Sequence, residues 1–538
     1  LFCREESFVP RSRARGSFSS TAGERPSGPS ATATSDSEMS SPASFASGSS
    51  AASGSVASGS AASGAVPASP RPEGVYLPRQ SPARRSRQGR GGTPSAARPS
   101  RLFWAMTFQA LPGFRDFPPD ELAFRAHIIE AWRRVARRYG FVEYDGPPLE
   151  PLELYTAKSG DEIVGQLFEF EDKGGRRVAM RPEMTPTFAR MVSEHAKSAP
   201  KPIRWFAVPQ LFRYEKQQRG RLREHFQLNC DLVGEAGPRA DAEVIALAID
   251  VCRELGLGAD DFKVRLSDRR VLYALLAHAM IPTDAFDGVL GVIDKLERNG
   301  ATASRARLLE MGLGDRAEAV LAIAAVRSAD ELTALARDWG VDAASWQFSE
   351  VLGALGAMGC ADYIEVDLSI VRGLAYYTGT VFELFDRKGQ LRAICGGGRY
   401  DTLLASLGGA DLPAVGFGMG DVVLGELLKD RGLRPGAPAT IDCYVAAVTA
   451  EDVPEVLHQA QRLRAAGLAV EFPLDAEPKL GKQLKLAGTR GARLAVVIGP
   501  DDRARGEVQL KDLAARTQVA VPLDQLVERC LGILSPTG

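Results

Sequence analysis

Four short stretches of this chain gather side chains that handle phosphates and amines. The first runs from Ile203 to Gly234. With the two-residue period of a strand, Phe212-Arg213-Tyr214-Glu215 puts Phe212 and Tyr214 on one face and Arg213 and Glu215 on the other. Further on, Phe226, Leu228, Cys230 and Leu232 share a face, and Gln227, Asn229 and Asp231 share the opposite one. The loop between them carries Lys216, Arg219, Arg221 and Arg223. Paired antiparallel, the two segments offer a basic loop for a polyanion beside a polar pocket able to read an amine and a ring nitrogen. Arginine suits phosphate because its planar fork donates two parallel hydrogen bonds. The plainer alternative is a solvated sheet face with a basic turn. In the second stretch, Val178 to Thr185, a strand enters a turn where Glu183 and Thr185 can grip an ammonium group. The third, Val371 to Gly379, packs Arg372, Tyr376 and Tyr377 between glycines. The fourth, Cys395 to Asp401, has three glycines that permit close backbone approach to a ligand at the edge of a helix. It is neither a P-loop nor a dinucleotide fingerprint.

The elements that must hold these residues are legible in outline. Pro118-Pro119-Asp120 is a start signal for a helix over 122–139, which Gly140 closes. A second helix spans 240–256, and 268–355 is Ala/Leu-rich with helical periodicity throughout. Strands are expected at 363–367 and 381–385, and 432–438 has linker composition. Beyond it strands at 441–448, 469–472 and 494–498 alternate with helices at 453–466 and 479–488, and a hairpin and a helix follow. That order predicts a small α/β domain with a parallel or mixed sheet.

Composition narrows the class. The 538 residues are 45% hydrophobic and 25% charged, ordinary for globular chains. No apolar run approaches the roughly 18 residues of a membrane span. The net charge of −1 does not mark a generic nucleic-acid binder. Seven cysteines without CxxC spacing suit a reducing compartment, and the five histidines stand at no ligand spacing, so no protein-held metal is expected. Residues 1–105 differ from the rest. They hold thirteen arginines, no lysine and six acids, with Ala-Ser-Gly repeats, and such a segment is expected to be disordered. It fits either an organellar transit peptide or sequence upstream of a start at Met106.

Taken in order, the motifs resemble the histidyl-tRNA synthetases, a class II aminoacyl-tRNA synthetase family. The resemblance spans about Phe108 to Leu531. It rests on Leu111-Pro112-Gly113-Phe114-Arg115-Asp116, the Arg181-Pro182-Glu183 turn with Thr185, the Phe212-Arg213-Tyr214-Glu215 hairpin, Arg372-Gly373-Leu374-Ala375-Tyr376-Tyr377 and Gly396-Gly397-Gly398-Arg399-Tyr400-Asp401. It implies an α+β chain: an antiparallel-sheet catalytic domain (106–267 and 356–430), a helical insertion (268–355), a linker (431–439), and a C-terminal α/β anticodon-binding domain (440–538), behind the disordered leader. It also implies ligation of L-histidine to tRNA(His) through histidyl-adenylate, with ATP as substrate and Mg²⁺ bridging its phosphates. Arg213 and Arg372 would hold the α-phosphate from opposite sides. Glu183 and Thr185 would take the amino group, and Gln227, Asp231, Tyr376 and Tyr377 the rest of histidine. Glu215, Arg221 and Arg399 would contact ATP. Arg219 and Arg223, with Lys479, Lys482 and Lys485 of the C-terminal domain, would contact tRNA. Asp145–Tyr155 resembles the motif that builds a homodimer. A cytoplasmic location is expected, or an organellar one if the leader is a transit peptide.

Three positions depart from the family pattern. Asp231 stands where glutamate is commoner, Ala375 where aspartate is usual, and Val423 where an arginine ordinarily meets the γ-phosphate. Arg399 is the first candidate to replace that arginine. The rival reading is a non-catalytic paralogue, either a regulatory subunit of ATP phosphoribosyltransferase or a tRNA-binding sensor. The C-terminal domain and the joint presence of Glu183, Arg213, Gln227 and Arg372 argue against it.

Overall fold

Strand alternation and helix caps translate directly into structure in the computed structural model, which describes residues 108–156, 165–216, 218–343, 346–371, 376–436, 441–475 and 479–535. The leader and the segment Arg372–Ala375 lie outside the described residues.

The central sheet is built from β1 (Val142–Glu143), β5 (Ile203–Ala207), β7 (Glu224–Val233), β8 (Phe262–Asp268), β9 (Ile364–Val366), β10 (Thr380–Asp386), β11 (Cys395–Arg399) and β12 (Ala414–Gly420). Their spatial order is β1-β5-β7-β12-β11-β10-β8-β9, and β6 (Gln210–Phe212) adds a short pairing to β7. All pairs are antiparallel except the outermost, β1 with β5 and β8 with β9. A small sheet of β2 (Leu149–Pro151), β3 (Phe168–Glu171) and β4 (Arg177–Met180) stands beside it.

The two faces of the large sheet differ because side chains alternate. On one face Leu228, Cys230 and Leu232 of β7, Phe417 and Met419 of β12, and Phe382 and Leu384 of β10 enter the main core. Two helices cover that face. Pro119–Arg138 has a proline in its first turn with Asp120 and Glu121, and ends on Arg137 and Arg138, a charge order that suits the helix dipole. It buries Phe124, Ile128, Ala131, Trp132 and Val135, a stripe at helical spacing. Pro238–Glu254 buries eleven of its seventeen residues, among them the run Val244–Ile249.

The opposite face of β11 and β12 is bare. Registry sets Asp231 across from Gly416 and Gly398, and Asn229 across from Gly418 and Gly396. The glycine-rich segment is therefore a mid-sheet strand, not the helix-edge loop its composition suggests. A Cβ on Gly397 would sit 2.3 Å from the Gly416 carbonyl oxygen, and one on Gly398 2.6 Å from that of Thr380. Neighbouring strands leave these positions no room for a side chain.

Between β8 and β9 the chain is helical apart from short turns, from Arg269–His278 to Gln347–Ala357. The last hundred residues form a separate mixed sheet of β13 (Cys443–Ala447), β14 (Val470–Glu471), β15 (Leu494–Ile498), β16 (Glu507–Asp512) and β17 (Thr517–Pro522). Its order is β14-β13-β15-β16-β17, with the first three parallel and the last two antiparallel to their neighbours. A short helix, Pro500–Arg505, was not expected there.

Candidate active site

Two connected cavities occupy the bare face, and both are walled by the polar residues of β7. The smaller, about 80 Å³, is lined by Glu183, Thr185, Gln227, Asn229, Asp231, Tyr376, Tyr377 and Tyr400 over the glycine floor. Glu183 and Thr185 reach it because the Arg181-Pro182-Glu183 turn is pinned. Arg181, itself buried, donates to the Gln210 and Gly146 carbonyl oxygens and to Asp145. Thr185 then opens the helix Thr185–His195, with Pro186 in its first turn.

Asp231 lies at the buried side of this cavity and accepts a hydrogen bond from the Tyr400 hydroxyl. Burial pushes its carboxyl up to about 7, although the tyrosine bond pulls the other way. The site thus holds a carboxyl group that changes charge near neutrality, walled by three tyrosines. A Cβ on Gly416 would stand 2.1 Å from Asp231 Oδ1, and one on Gly418 2.7 Å from Gln227 Nε2. The β12 glycines therefore make space for the side chains that line the pocket.

The larger cavity, about 490 Å³, continues from the first past Arg213, Gln227, Gly396 and Gly418, which line both. It adds Glu215, Arg221, His225, Glu383, Arg392 and Val423. Arg213 Nε donates to the Pro182 carbonyl oxygen at 2.9 Å, which ties the guanidinium to the turn carrying Glu183. Glu215 is buried and ion-paired with Arg221. Burial, with Arg213 and Arg115 nearby, pushes the His225 imidazole down to about 3, so it is neutral at physiological pH. Arg115 bridges Glu224 at 2.6 Å and Asp421 at 2.9 Å, which locks β7 to the helix Asp421–Asp430 that carries Val423.

Several expected site residues stand elsewhere. Arg399 is a correction: it is 1% exposed and points to the helix side, where it pairs with Asp241 at 2.6 Å and Asp401 at 3.0 Å. Its place is taken by a structural ion pair because the backbone alternation of β11 aims it away from both cavities. Arg219 pairs with Asp430 at 3.2 Å, outside the cavities. Arg223 lies over the Tyr214 ring at 4.1 Å and donates to the Pro112 and Glu215 carbonyl oxygens. Lys479, Lys482 and Lys485 are exposed along the helix Leu480–Thr489, with Lys482 bonded to Asp475. Arg372 lies outside the described residues. Sequence reasoning did not select Asn229, Tyr400, Glu383 or Arg392. Asn229 shares the strand parity of Gln227 and Asp231, which was signal enough. The others depend on pairings between distant strands.

A glycine-floored antiparallel sheet with this arginine and carboxylate wall, followed by a mixed α/β domain, is the architecture of a class II aminoacyl-tRNA synthetase. The family model for histidyl-tRNA synthetase matches residues 113–420, and that for the anticodon-binding domain matches 442–532. The histidine–tRNA ligase of Opitutus terrae is 48% identical over 425 residues, covering 78% of this chain and 97% of the relative. The Arabidopsis thaliana enzyme named histidine–tRNA ligase, chloroplastic/mitochondrial, is 40% identical over 77% of this chain and 85% of its own length. Among solved structures, histidyl-tRNA synthetase from Nostoc sp. superposes with a TM-score of 0.67 at 26% identity, covering 80% of this chain and all of that one. The chain belongs to the histidyl-tRNA synthetase family.

Proposed function

We propose that this chain joins L-histidine to tRNA(His) through histidyl-adenylate, with the small cavity holding histidine and the large one ATP. The observation that carries this reading is that the two cavities meet at Arg213. A histidine with its amino group on Glu183 and Thr185 and its ring toward Asp231 presents its carboxylate at that junction. ATP in the larger cavity brings its α-phosphate to the same place. A carboxylate oxygen attacks the α-phosphorus, the bond to the bridging oxygen breaks, and pyrophosphate leaves. Charge gathers on the α-phosphate oxygens as this happens, and the Arg213 guanidinium stabilises it. Its fixed position removes reorganisation from the step. Arg372 would complete the clamp from the other side. A terminal ribose hydroxyl of tRNA then attacks the histidyl carbonyl and releases AMP.

Asp231, Gln227 and Tyr400 read the ring. A carboxylate accepts an imidazole N–H, and a site built for that bond rejects side chains that cannot make it. Mg²⁺ suits the oxygen-rich wall of the large cavity: Glu383 and Glu215 lie there, and this hard cation takes carboxylate and phosphate oxygens, easing charge on the leaving group. The C-terminal domain would engage the anticodon. Nothing observed favours a regulatory or sensor role over catalysis.

Pairing as a homodimer is also proposed. Leu149 and Phe170 of the small sheet and Val142 of β1 are exposed apolar side chains that a second copy would cover. No helix among the described residues is long and apolar enough to cross a membrane. A cytoplasmic site of action is proposed, with residues 1–105 directing import as the alternative.

The test is histidine-dependent ATP–pyrophosphate exchange, with the other amino acids as controls. Exchange with histidine alone is expected. A folded protein that exchanges with no amino acid refutes the catalytic reading.

A further inference from the structure

We propose that Arg392 grips the β- and γ-phosphates of ATP and so supplies the positive charge at the far end of the nucleotide site. The proposal deepens the reading of the larger cavity as the ATP site and rests on it. Three described arginines line that cavity: Arg213, Arg221 and Arg392. Arg213 stands at the junction with the histidine cavity, where the α-phosphate reacts. Arg221 is already ion-paired with the buried Glu215. Arg392 alone makes no hydrogen bond or ion pair with any described residue, and its side chain is exposed at the cavity wall. Triphosphate brings several negative charges, and one α-phosphate arginine leaves most of them unmet. An arginine fork is the side chain best matched to two phosphate oxygens.

The backbone explains why Arg392 is available. β11 pairs with β12 through Cys395 opposite Met419, and the bond from Gly420 N to the Ile394 carbonyl oxygen continues that pairing at 3.3 Å. Beyond Gly420 the chain turns into the helix Asp421–Asp430, whose first turn carries Val422 and Val423. Both valines line the same cavity and carry no charge. Arg392 thus lines the same cavity as the position where its wall lacks a cation. Its loop is fixed as well: the buried Asp386 carboxylate accepts from the backbone N–H of Leu391 at 2.9 Å and of Gln390 at 3.3 Å. The residue before Arg392 is therefore anchored to β10, which limits the ordering needed when phosphate arrives.

The test compares ATP with AMP, which lacks the two outer phosphates. Binding of each, with Mg²⁺ present, is measured by calorimetry on the full chain and on Arg392→Ala and Arg392→Gln. Loss of charge-assisted bonds is expected to weaken ATP about 10- to 100-fold in both variants and leave AMP unchanged. Arg392→Lys should recover part of the preference for ATP. In the exchange assay the KM for ATP should rise while the KM for histidine stays put. Equal weakening of ATP and AMP, or weakening of neither, overturns the proposal, as does a parent protein that binds ATP no better than AMP. An ATP preference that depends on Arg392 in a protein that does not activate histidine would uphold the phosphate site and refute the synthetase reading instead.

Discussion

Replacing Asp231 with Asn should make the catalytic domain more stable and nearly inactive, and the gain should grow with pH. The folded carboxyl titrates near 7 against an ordinary aspartate value of 3.8. Between those values the native protein holds a proton that the unfolded chain has released. Stability therefore falls as pH rises through that window, and the loss is complete above 7. Three units at 1.36 kcal/mol each set a ceiling of about 4 kcal/mol at pH 8, against about 2 at pH 5. Asn keeps an oxygen to accept the Tyr400 hydroxyl and carries no charge. The stability difference between variant and parent should widen by roughly 2–3 kcal/mol from pH 5 to pH 8. Other shifted carboxylates, such as Asp241 and Asp421, are common to both proteins and cancel. Urea unfolding followed by tryptophan fluorescence keeps the C-terminal domain out of the signal, because all five tryptophans precede residue 350, with Trp132 and Trp205 in the catalytic domain. Histidine-dependent exchange should drop about 100-fold with the loss of a charged hydrogen-bond partner. Parallel stability curves for the two proteins across pH would refute the reasoning, since they would mean that the buried carboxyl carries no penalty.

Arg399→Ala should cost about 3–5 kcal/mol of stability, because it strands Asp241 in the core, yet leave the ATP KM of the folded fraction unchanged. A selective loss of ATP affinity at constant stability would return Arg399 to the nucleotide site. Gly416→Ala pushes a methyl group against Asp231 Oδ1 and the Cys230 carbonyl oxygen. It should cost about 1–3 kcal/mol and raise the histidine KM more than the ATP KM, as steady-state exchange will read. Reversing Lys479, Lys482 and Lys485 to Glu together should depress tRNA charging and flatten its salt dependence while exchange stays normal. Equal effects on both reactions would remove the lysines from the tRNA surface.

Strand parity makes the polar wall of the small cavity legible from the sequence. Gln227, Asn229 and Asp231 are polar at alternate positions while Leu228, Cys230 and Leu232 are not, and the sheet realises that division. The start and charge order of Pro119–Arg138 were equally readable, because capping and dipole effects are local. Arg399 was misplaced for the converse reason. Its motif marks it as special, but whether a strand residue faces ligand or core depends on which neighbour covers each face, and Asp241 lies 158 residues away. Arg392 was invisible on the same account. Only the pairing of β11 with β12 brings its loop to the helix that carries Val423.

The glycines and Asp231 explain each other. Two adjacent strands stripped of side chains on one face give up packing that a sheet ordinarily gains from cross-strand pairs. The bare floor is kept because long polar side chains from β7 must lie across it: a Cβ at Gly416 would strike the Asp231 carboxylate and one at Gly418 the Gln227 amide. The same cover that shapes the pocket strips water from Asp231 and raises its pKa to about 7. A histidine imidazole, whose own pKa lies near 6.5, would meet there a partner of nearly matched proton affinity. One proton shared between matched groups suits the ring of histidine, whereas a neutral amide side chain in its place has no titrating nitrogen to share. The destabilising burial of one carboxylate and the sacrifice of packing on two strands are thus one arrangement, and each is needed for the other to serve recognition.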